Sequence, residues 1–180
     1  MKRNLLILGA GAYGQVVYEV AESMNRFDKI AFLDDEYAAH PLSESAKSIL
    51  ESTDDDLDDS CPILGRIGEL PKFSNKYNYA VVAVEDPEQR CKYADFILES
   101  NCNLAIIAHP KAFVSPSAIL KPGCVIEPSV VVLTSAEIGK CSFVRAGAII
   151  DHNAVVGKYS TVGCGVCVPA GAKIPDGETR

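Results

Sequence analysis

The sequence predicts two parts in series: an α/β, Rossmann-like region over residues 1–105 and a parallel β-helix over residues 106–180. Two observations predict this order. A G-x-G-x-x-G loop at Gly9–Gly14 stands between an apolar strand pattern and a helical pattern. A branched aliphatic residue then recurs at every sixth position from Val114 to Ile174. A chain of 180 residues has room for two small domains of this kind.

The composition excludes several classes of protein. A formal net charge of −7 makes nucleic acid an improbable partner. No apolar run approaches the roughly 18 residues that cross a bilayer, so membrane insertion is not expected. The short apolar run after Met1 breaks into glycines, which indicates a buried strand and not a signal peptide. The 7 cysteines are odd in number and irregular in spacing, so they form no disulfide framework. We expect a cytoplasmic protein.

Short apolar runs define the elements of the N-terminal region. Leu5–Leu8 predicts a buried strand, Gln15–Glu22 a helix, and Ile30–Leu33 a second strand that ends at Asp34 and Asp35. Two further strands are predicted at Tyr79–Val84 and Leu104–Ile107, and two further helices at Glu44–Leu50 and Pro87–Leu98.

The glycine loop predicts a phosphate-binding turn. Its glycines allow backbone amides to approach a phosphate at a helix N-terminus. Asp34 lies twenty residues after Gly14, where an acid that contacts a ribose is expected. A tight turn in an α/β fold without a ligand is the alternative. A nicotinamide oxidoreductase is a further hypothesis, but it rests on this loop alone and leaves the repeat without a role.

The six-residue period predicts a coil with three flat sides. It matches neither the 3.6-residue period of a helix nor the two-residue period of a strand. The aliphatic residues point inward, and a second row of small residues, two positions earlier, packs near the corners. The aliphatic row is Val114, Leu120, Ile126, Val132, Ile138, Val144, Ile150, Val156, Val162, Val168 and Ile174. Three sides make one turn, so eleven rungs give almost four turns, and neighbouring turns pair their backbones.

Two other motifs are interpreted as structural. Cys164 and Cys167 form a C-x-x-C within the periodic segment, where packing of the tight interior is favoured over metal or redox chemistry. The acidic run at 54–59 is interpreted as a solvated surface loop and not as a metal or partner site.

Nearly the whole chain resembles the sugar O-/N-acyltransferases of the sialic acid O-acetyltransferase type, within the hexapeptide-repeat acyltransferase superfamily. The motifs that carry the resemblance are Gly9–Gly14, Phe32–Asp35, Pro62–Gly65, Val82–Val84 with Arg90, Ala108–Pro110 and Val114–Ala118, followed by the aliphatic ladder. The resemblance implies that the β-helix is left-handed, an exception to the usual crossover hand. It also implies a homotrimer, with acyl-CoA in the groove between neighbouring β-helices.

The resemblance further implies an acetyl-CoA-dependent acetyltransferase that acts on a sugar or a nucleotide-linked amino sugar. In this family the N-terminal region holds the sugar nucleotide and not NAD. The implied substrate contacts are Gly9, Gly11, Tyr13, Gly14, Asp34 and Asp35. The co-substrate acetyl-CoA is expected near Arg145, Gly147, Thr161 and Gly163. No metal is expected.

His152 stands at the position of the family's catalytic histidine, after Gly147–Ile150. With Ile150 inward, His152 falls on an outward corner, where it could face a neighbouring subunit. A histidine suits the role of general base, which takes a proton from an amine or hydroxyl as it attacks the thioester carbonyl. A backbone amide in the groove would stabilise the developing oxyanion. Asp151 and Asn153 are its candidate orienting partners. A surface turn histidine is the alternative, and His109 is expected to be structural.

A catalytically silent β-helix trimer, acting as a binding or scaffold protein, is the second hypothesis. It is motivated by Asn153, where the family usually has an acid, by Arg145, where it usually has an amide, and by the few coils after His152. A zinc carbonic anhydrase on a β-helix is disfavoured. That site needs three histidine ligands, and one of the 3 histidines, His40, lies outside the repeat.

Overall fold

The computed structural model of the protein describes residues 3–36 and 62–180. The predicted helix at Glu44–Leu50, the acidic run at 54–59, His40 and Cys61 lie outside these ranges. Within them, no helix is long and apolar enough to cross a bilayer.

The N-terminal region is a five-stranded parallel sheet with helices packed against it. Its elements are β1 (Asn4–Leu8), α1 (Ala12–Ser23), β2 (Lys29–Leu33), β3 (Ile63–Gly65), α2 (Leu70–Phe73), β4 (Tyr79–Val82), α3 (Pro87–Glu99) and β5 (Asn103–Leu104). The strand order is β3-β2-β1-β4-β5. Every residue of β1 is buried, because both faces of a parallel sheet are covered. The predicted Rossmann-like region is confirmed.

The local sequence explains where α3 begins. Pro87 occupies the first turn, where its missing N–H leaves no hydrogen bond unmade. The carboxylate of Asp86 accepts a hydrogen bond of 2.7 Å from the backbone N–H of Gln89. This is the N-cap arrangement that fixes a helix start, and the predicted helix at Pro87–Leu98 is confirmed.

The strand predicted at Leu104–Ile107 is wrong as a single element. Leu104 pairs with Ala80 at the edge of the N-terminal sheet, whereas Ile107 pairs with Val125 in the following repeat. The apolar run therefore crosses from one sheet to another, and periodicity alone could not mark the crossing. The strand β3 was not predicted, because Ile63–Gly65 has only three residues.

The C-terminal region, residues 106–180, is called the repeat region below. It contains twelve two-residue strands: β6 (Ile107–Ala108), β7 (Phe113–Val114), β8 (Ile119–Leu120), β9 (Val125–Ile126), β10 (Val131–Val132), β11 (Glu137–Ile138), β12 (Phe143–Val144), β13 (Ile149–Ile150), β14 (Val155–Val156), β15 (Thr161–Val162), β16 (Cys167–Val168) and β17 (Lys173–Ile174). They form three parallel stacks of four strands. Stack 1 holds β6, β9, β12 and β15, stack 2 holds β7, β10, β13 and β16, and stack 3 holds β8, β11, β14 and β17.

The chain visits stacks 1, 2 and 3 in rotation, and each strand pairs with the strand eighteen residues away, as Val132 does with Val114 and Ile150. This arrangement is consistent with the predicted left-handed β-helix. The structure adds one strand to the predicted ladder: β6 pairs with β9 and begins the first turn. It escaped detection because its inward position is Ala108, which is not a branched aliphatic residue.

The predicted interior of the repeat region is confirmed. All eleven aliphatic residues from Val114 to Ile174 belong to one hydrophobic cluster, together with most of the small row. The turns between strands repeat a single backbone geometry. Ten consecutive positions, six residues apart, have φ between 53° and 80°: Gly123, Ser129, Ser135, Cys141, Gly147, Asn153, Tyr159, Gly165, Gly171 and Gly177. Glycine and asparagine enter this left-handed region most easily.

The predicted packing of Cys164 and Cys167 in the interior is wrong. Both thiols are free and exposed, whereas Cys124 and Cys141 are buried. Val166, between the first two, belongs to the inward small row and packs against the interior cluster. Burial raises the pKa of the Cys141 thiol to about 12.

Candidate functional site

The N-terminal region docks against stack 1 of the repeat region. Tyr13 and Val17 of α1 share one hydrophobic cluster with Ile107, Val125 and Phe143, which are the outward residues of stack 1. This side of the repeat region is therefore covered, and the surface between the two regions is called the junction below.

The glycine loop and the loop after β4 follow the carboxyl ends of β1 and β4, and the surface between these two loops is called the crevice. These adjacent strands mark the point where the strand order reverses, which is where ligands bind in open α/β sheets. A Cβ at Gly14 would collide with the carbonyl oxygen of Gly9, so only glycine fits there. A Cβ at Gly11 would meet nothing within 4 Å. The predicted loop is thus a tight turn at Gly9 and Gly14 with open space over Gly11.

Asp34, predicted to contact a ribose, and Asp35, an implied substrate contact, both accept hydrogen bonds from the protein's own groups. Asp34 accepts hydrogen bonds from the backbone N–H groups of Ala10 (2.6 Å) and Glu36 (2.8 Å). Asp35 accepts from the backbone N–H of Ile67 at 3.0 Å and from the Tyr93 hydroxyl at 3.1 Å. Both acids help to shape the rim of the crevice.

Tyr13 points into the junction and not toward solvent. It is only 6% exposed, and its ring lies 4.7 Å from that of Phe143, centroid to centroid. The guanidinium of Arg145 lies 4.1 Å from the Tyr13 ring centroid. Burial raises the pKa of Tyr13 well above its usual value, and the nearby Glu127 carboxylate raises it further. The phenol therefore stays protonated.

Arg145 spans the crevice from the turn between stacks 1 and 2. It forms an ion pair with Glu85, on the loop after β4, and its Nε lies 3.9 Å from Oε1 of Glu127. The other oxygen of Glu127 accepts a hydrogen bond of 3.0 Å from the backbone N–H of Ala146. Arg145, expected from the sequence to contact CoA, is thus placed against the glycine loop.

Arg90 is fully buried at the junction without an ion-pair partner. Its guanidinium donates to the carbonyl oxygens of Cys141 (3.3 Å) and Glu85 (3.0 Å) and to the Thr161 hydroxyl (3.1 Å). It also lies 3.8 Å from the Phe143 ring centroid. Burial lowers the pKa of Arg90 to about 10, so the group is still charged at neutral pH.

Three buried polar atoms at the junction have no hydrogen-bond partner of normal geometry: the hydroxyl of Tyr13, Nε of Arg90 and Oε1 of Glu127. Buried polar groups are almost always satisfied. Two of them face each other, since, after burial, the charge and a hydrogen bond of the Glu127 side chain raise the pKa of Tyr13, and Oε1 of Glu127 also lies 3.9 Å from Nε of Arg145.

His152 occupies a different corner, in the turn between stacks 2 and 3. Its side chain is 57% exposed, and its Nδ1 lies 2.8 Å from Oδ1 of Asp151. The pKa of Asp151 is lowered, first by the backbone N–H of His152 and next by its ring. Since Asp151 is a carboxylate, Nδ1 carries the proton and the lone pair of Nε2 faces solvent. The pair has the geometry of an oriented general base.

Asn153 contributes to the backbone of this turn. Its φ is 58°, in the left-handed row of the repeat, and its N–H donates to the carbonyl of Thr134 at 3.0 Å. Asparagine is one of the few side chains that tolerate this conformation. The structure therefore pairs His152 with Asp151, while Asn153 meets a requirement of the turn.

The structure does not bring His152 and the glycine loop together within one chain. The N-terminal region contacts stack 1 and the two turns that flank it. Arg145 lies on one of these turns, and on the other Lys140 binds Asp95 at 3.1 Å. The turn with His152 is the third corner, away from stack 1. Of the residues expected to bind CoA, Gly147 and Gly163 lie on the turns after stack 1, and Thr161 is buried against Arg90.

His109 stabilises a turn. Its Nδ1 accepts a hydrogen bond of 3.0 Å from the backbone N–H of Lys111.

Over residues 3–36 and 62–180, no cluster of three or more His, Cys, Asp or Glu side chains could hold a metal ion.

Glu127 is a residue of the junction that the sequence did not reveal. It follows the inward Ile126 in a turn, and nothing in the repeat distinguishes it from the other turn residues.

Comparison with known proteins supports this anatomy. Residues 4–97, more than half of the chain, match the family model described as the PglD N-terminal domain. No match to a curated protein sequence was found.

Several solved structures share the fold. A mutant of perosamine N-acetyltransferase from Caulobacter crescentus, in complex with CoA and GDP-perosamine, is 20% identical, with 98% of this chain and 76% of that chain covered and a TM-score of 0.82. The acetyltransferase domain of PglB from Neisseria gonorrhoeae is 23% identical, with 99% and 88% covered and a TM-score of 0.77. WeeI from Acinetobacter baumannii is 15% identical, with 97% and 76% covered and a TM-score of 0.75.

Proposed function

The chain belongs to the PglD N-terminal domain family, and we propose that it is an acetyl-CoA-dependent acetyltransferase of a sugar or nucleotide-linked amino sugar. The match confirms the family that the motifs indicated. The observation that carries the proposal is the exposed His152–Asp151 pair on the repeat region, in which Nδ1 of His152 contacts the Asp151 carboxylate. Two of the structural neighbours named above, the perosamine N-acetyltransferase and the PglB domain, are acetyltransferases, and a related structure of the PglB domain contains acetyl coenzyme A.

The chemistry follows from that pair. Nε2 of His152 accepts a proton from the acceptor's amine or hydroxyl as this group attacks the thioester carbonyl. A C–N or C–O bond forms and the C–S bond breaks. The imidazolium, stabilised by Asp151, returns its proton to the departing CoA thiolate. A backbone N–H in the groove between copies stabilises the oxyanion.

The acceptor binds, in this proposal, at the crevice between the glycine loop and the β4 loop. The open space over Gly11 admits a phosphate at the N-terminus of α1. Asp34 and Asp35, at the rim of the crevice, would contact the nucleoside. Residues 1–105 then form the sugar-nucleotide domain and residues 106–180 the left-handed β-helix that holds acetyl-CoA. The change of sheet between β5 and β6 supports this division.

A homotrimer would bring together His152 and the glycine loop, which lie apart within one chain. The outward residues of stack 2 form an apolar stripe that ascends the four turns: Phe113, Val131, Ile149 and Cys167. Phe113 is 56% exposed and Ile149 is 39% exposed. A second copy that covers this stripe would also approach the neighbouring His152 corner. The base of one chain and the crevice of another would then form one site.

Acetyl transfer to a panel of UDP-, GDP- and dTDP-linked amino sugars, followed as release of CoA thiol, tests the proposal. We expect turnover that saturates with acetyl-CoA. The alternative, a silent scaffold, predicts a stable oligomer with no calorimetric binding of acetyl-CoA and no turnover on any acceptor. That result would end the proposal.

A further inference from the structure

We propose that Arg145 and Glu85 form an anion-exchange gate over the crevice: an anionic group of the acceptor displaces the Glu85 carboxylate and binds Arg145. The inference rests on the proposed function, because it names the chemistry that the acceptor crevice selects. It assigns Arg145 to the acceptor and not to the CoA groove.

The position of Arg145 is the first argument. The guanidinium stacks on Tyr13, in the first turn of α1 directly after the glycine loop, and pairs with Glu85 of the loop after β4. Arg145 therefore connects the two sides of the crevice.

The charge balance of the junction is the second argument. Among the described residues, the junction encloses two guanidinium groups, Arg90 and Arg145, and one buried carboxylate, Glu127, which lies beside Arg145. Arg90 donates only to uncharged oxygens. The buried part of the cluster thus carries one excess positive charge. It is balanced from the surface by exposed acids, chiefly Glu85, whose side chain is 69% exposed, and Asp86, which caps α3.

The third argument is that the two side chains of the ion pair differ in burial and in the contacts that hold them. Arg145 is held by Tyr13 and Glu127 and is only 23% exposed, whereas Glu85 is mostly in water. An ion pair with one exposed partner contributes little to stability. A diphosphate or a ligand carboxylate can offer the guanidinium two oxygens at once, which is the geometry it binds best. The incoming anion takes the place of the Glu85 carboxylate, so the Arg145 guanidinium keeps an anionic partner throughout.

Tyr13 keeps Arg145 in place beneath the ion pair. The Arg145 guanidinium stacks on the Tyr13 ring, and the buried Tyr13 hydroxyl lies against Glu127. Burial raises the pKa of this hydroxyl, and the charge and hydrogen bond of Glu127 raise it further. The anion has two possible sources, the diphosphate of a nucleotide and a carboxylate carried by the sugar.

Calorimetric titration of the full chain tests the gate. The probes are inorganic pyrophosphate, UDP-glucose, UDP-glucuronate and CoA. The variants are Glu85→Gln, which frees Arg145, and Arg145→Gln, which removes the cation. Glu88→Gln is the matched control, because it deletes a neighbouring exposed acid on α3 that does not touch Arg145. Thermal melting verifies that each variant is folded.

Glu85→Gln is expected to tighten binding about two- to fivefold relative to Glu88→Gln, the range of an exposed ion pair. Arg145→Gln is expected to weaken it about tenfold or more. A gain for pyrophosphate and both UDP-sugars identifies the diphosphate as the anion, and a gain confined to UDP-glucuronate identifies the sugar carboxylate. The inference is overturned if Glu85→Gln behaves like Glu88→Gln with every probe, or if only CoA binds more tightly.

The two proposals fail separately. Anion binding through Arg145 without acetyl transfer to any acceptor would contradict the proposed function and keep the gate. Acetyl transfer with an unchanged acceptor KM in Glu85→Gln would support the proposed function and contradict the gate.

Discussion

The two polar clusters of this molecule are built in opposite ways. At the junction, Arg90 is fully buried and Tyr13 is 6% exposed, and contacts come from both halves of the chain. At the far corner, His152 is 57% exposed, and its ring contacts only the adjacent Asp151. The first cluster is enclosed by one chain, whereas the second presents a base to solvent. The difference indicates that the junction holds the two halves of one chain together, whereas the His152 corner needs a second copy of the chain to become an enclosed site.

The largest expected effect is at the exposed cluster and concerns rate alone. His152→Ala should lower acetyl transfer about 10²- to 10⁴-fold, the usual contribution of a general base. Its melting temperature should stay within about 1 °C of the parent protein, because the ring is mostly exposed and its one ion-pair contact is with the neighbouring Asp151. Steady-state kinetics and thermal melting measure both. Unchanged turnover would remove His152 from the mechanism.

The buried cluster should show the opposite signature, a loss of stability. Arg90→Ala removes three hydrogen bonds and the contact with Phe143 and leaves a cavity. We expect the free energy of unfolding to fall by about 3 kcal/mol. Urea denaturation measures this, with Lys92→Ala on the same helix as the exposed control. A loss below about 1 kcal/mol would show that the contacts of Arg90 do not hold the N-terminal region against the repeat region.

A smaller effect separates the two neighbours of His152. Asp151→Asn should reduce acetyl transfer about 10- to 100-fold, because the imidazolium loses the anion that orients it. Asn153→Ala should leave turnover within about twofold, since the side chain serves the turn. Comparison of kcat for the two variants decides between them. The reverse order would return the orienting role to Asn153.

The smallest effect isolates the backbone of the turn. Asn153→Gly should raise the free energy of unfolding by about 0.5 kcal/mol, because φ near 58° suits glycine better than any other residue. Ser135→Gly, at the equivalent position one turn earlier, should behave alike. Chemical denaturation of both variants measures the gain. A marked loss at Asn153 alone would reveal a side-chain contact beyond the backbone.

The repeat region could be predicted from sequence because each rung repeats one local rule. Burial fixes the inward residue every six positions, and Ile150 and Val156 obey it like their neighbours. The rule missed a rung where a residue broke the pattern without breaking the fold, as Ala108 does. The expectation that Cys167 packs inside went against the rule, because the two-residue alternation of a strand puts Cys167 outward when Val168 is inward.

The junction could not be predicted in the same way. Tyr13, Glu85, Arg90, Glu127 and Arg145 come from five separate segments. Their meeting depends on how α1 packs against stack 1, which is a property of tertiary packing and leaves no period in the sequence. Motif matching therefore placed Tyr13 and Arg145 in two different sites, whereas the structure stacks one on the other.

Complementation between two inactive chains tests the central claim, that base and crevice come from different copies. His152→Ala disables the base. Gly11→Phe is designed to obstruct the crevice, and the backbone should accept it because Gly11 has φ −64° and a Cβ there meets nothing within 4 Å. Each variant alone should be inactive, and co-expressed, differently tagged chains purified as hybrids should regain a fraction of the parent turnover. Verified hybrids that remain inactive would contradict the account, because base and crevice would then have to act within one chain.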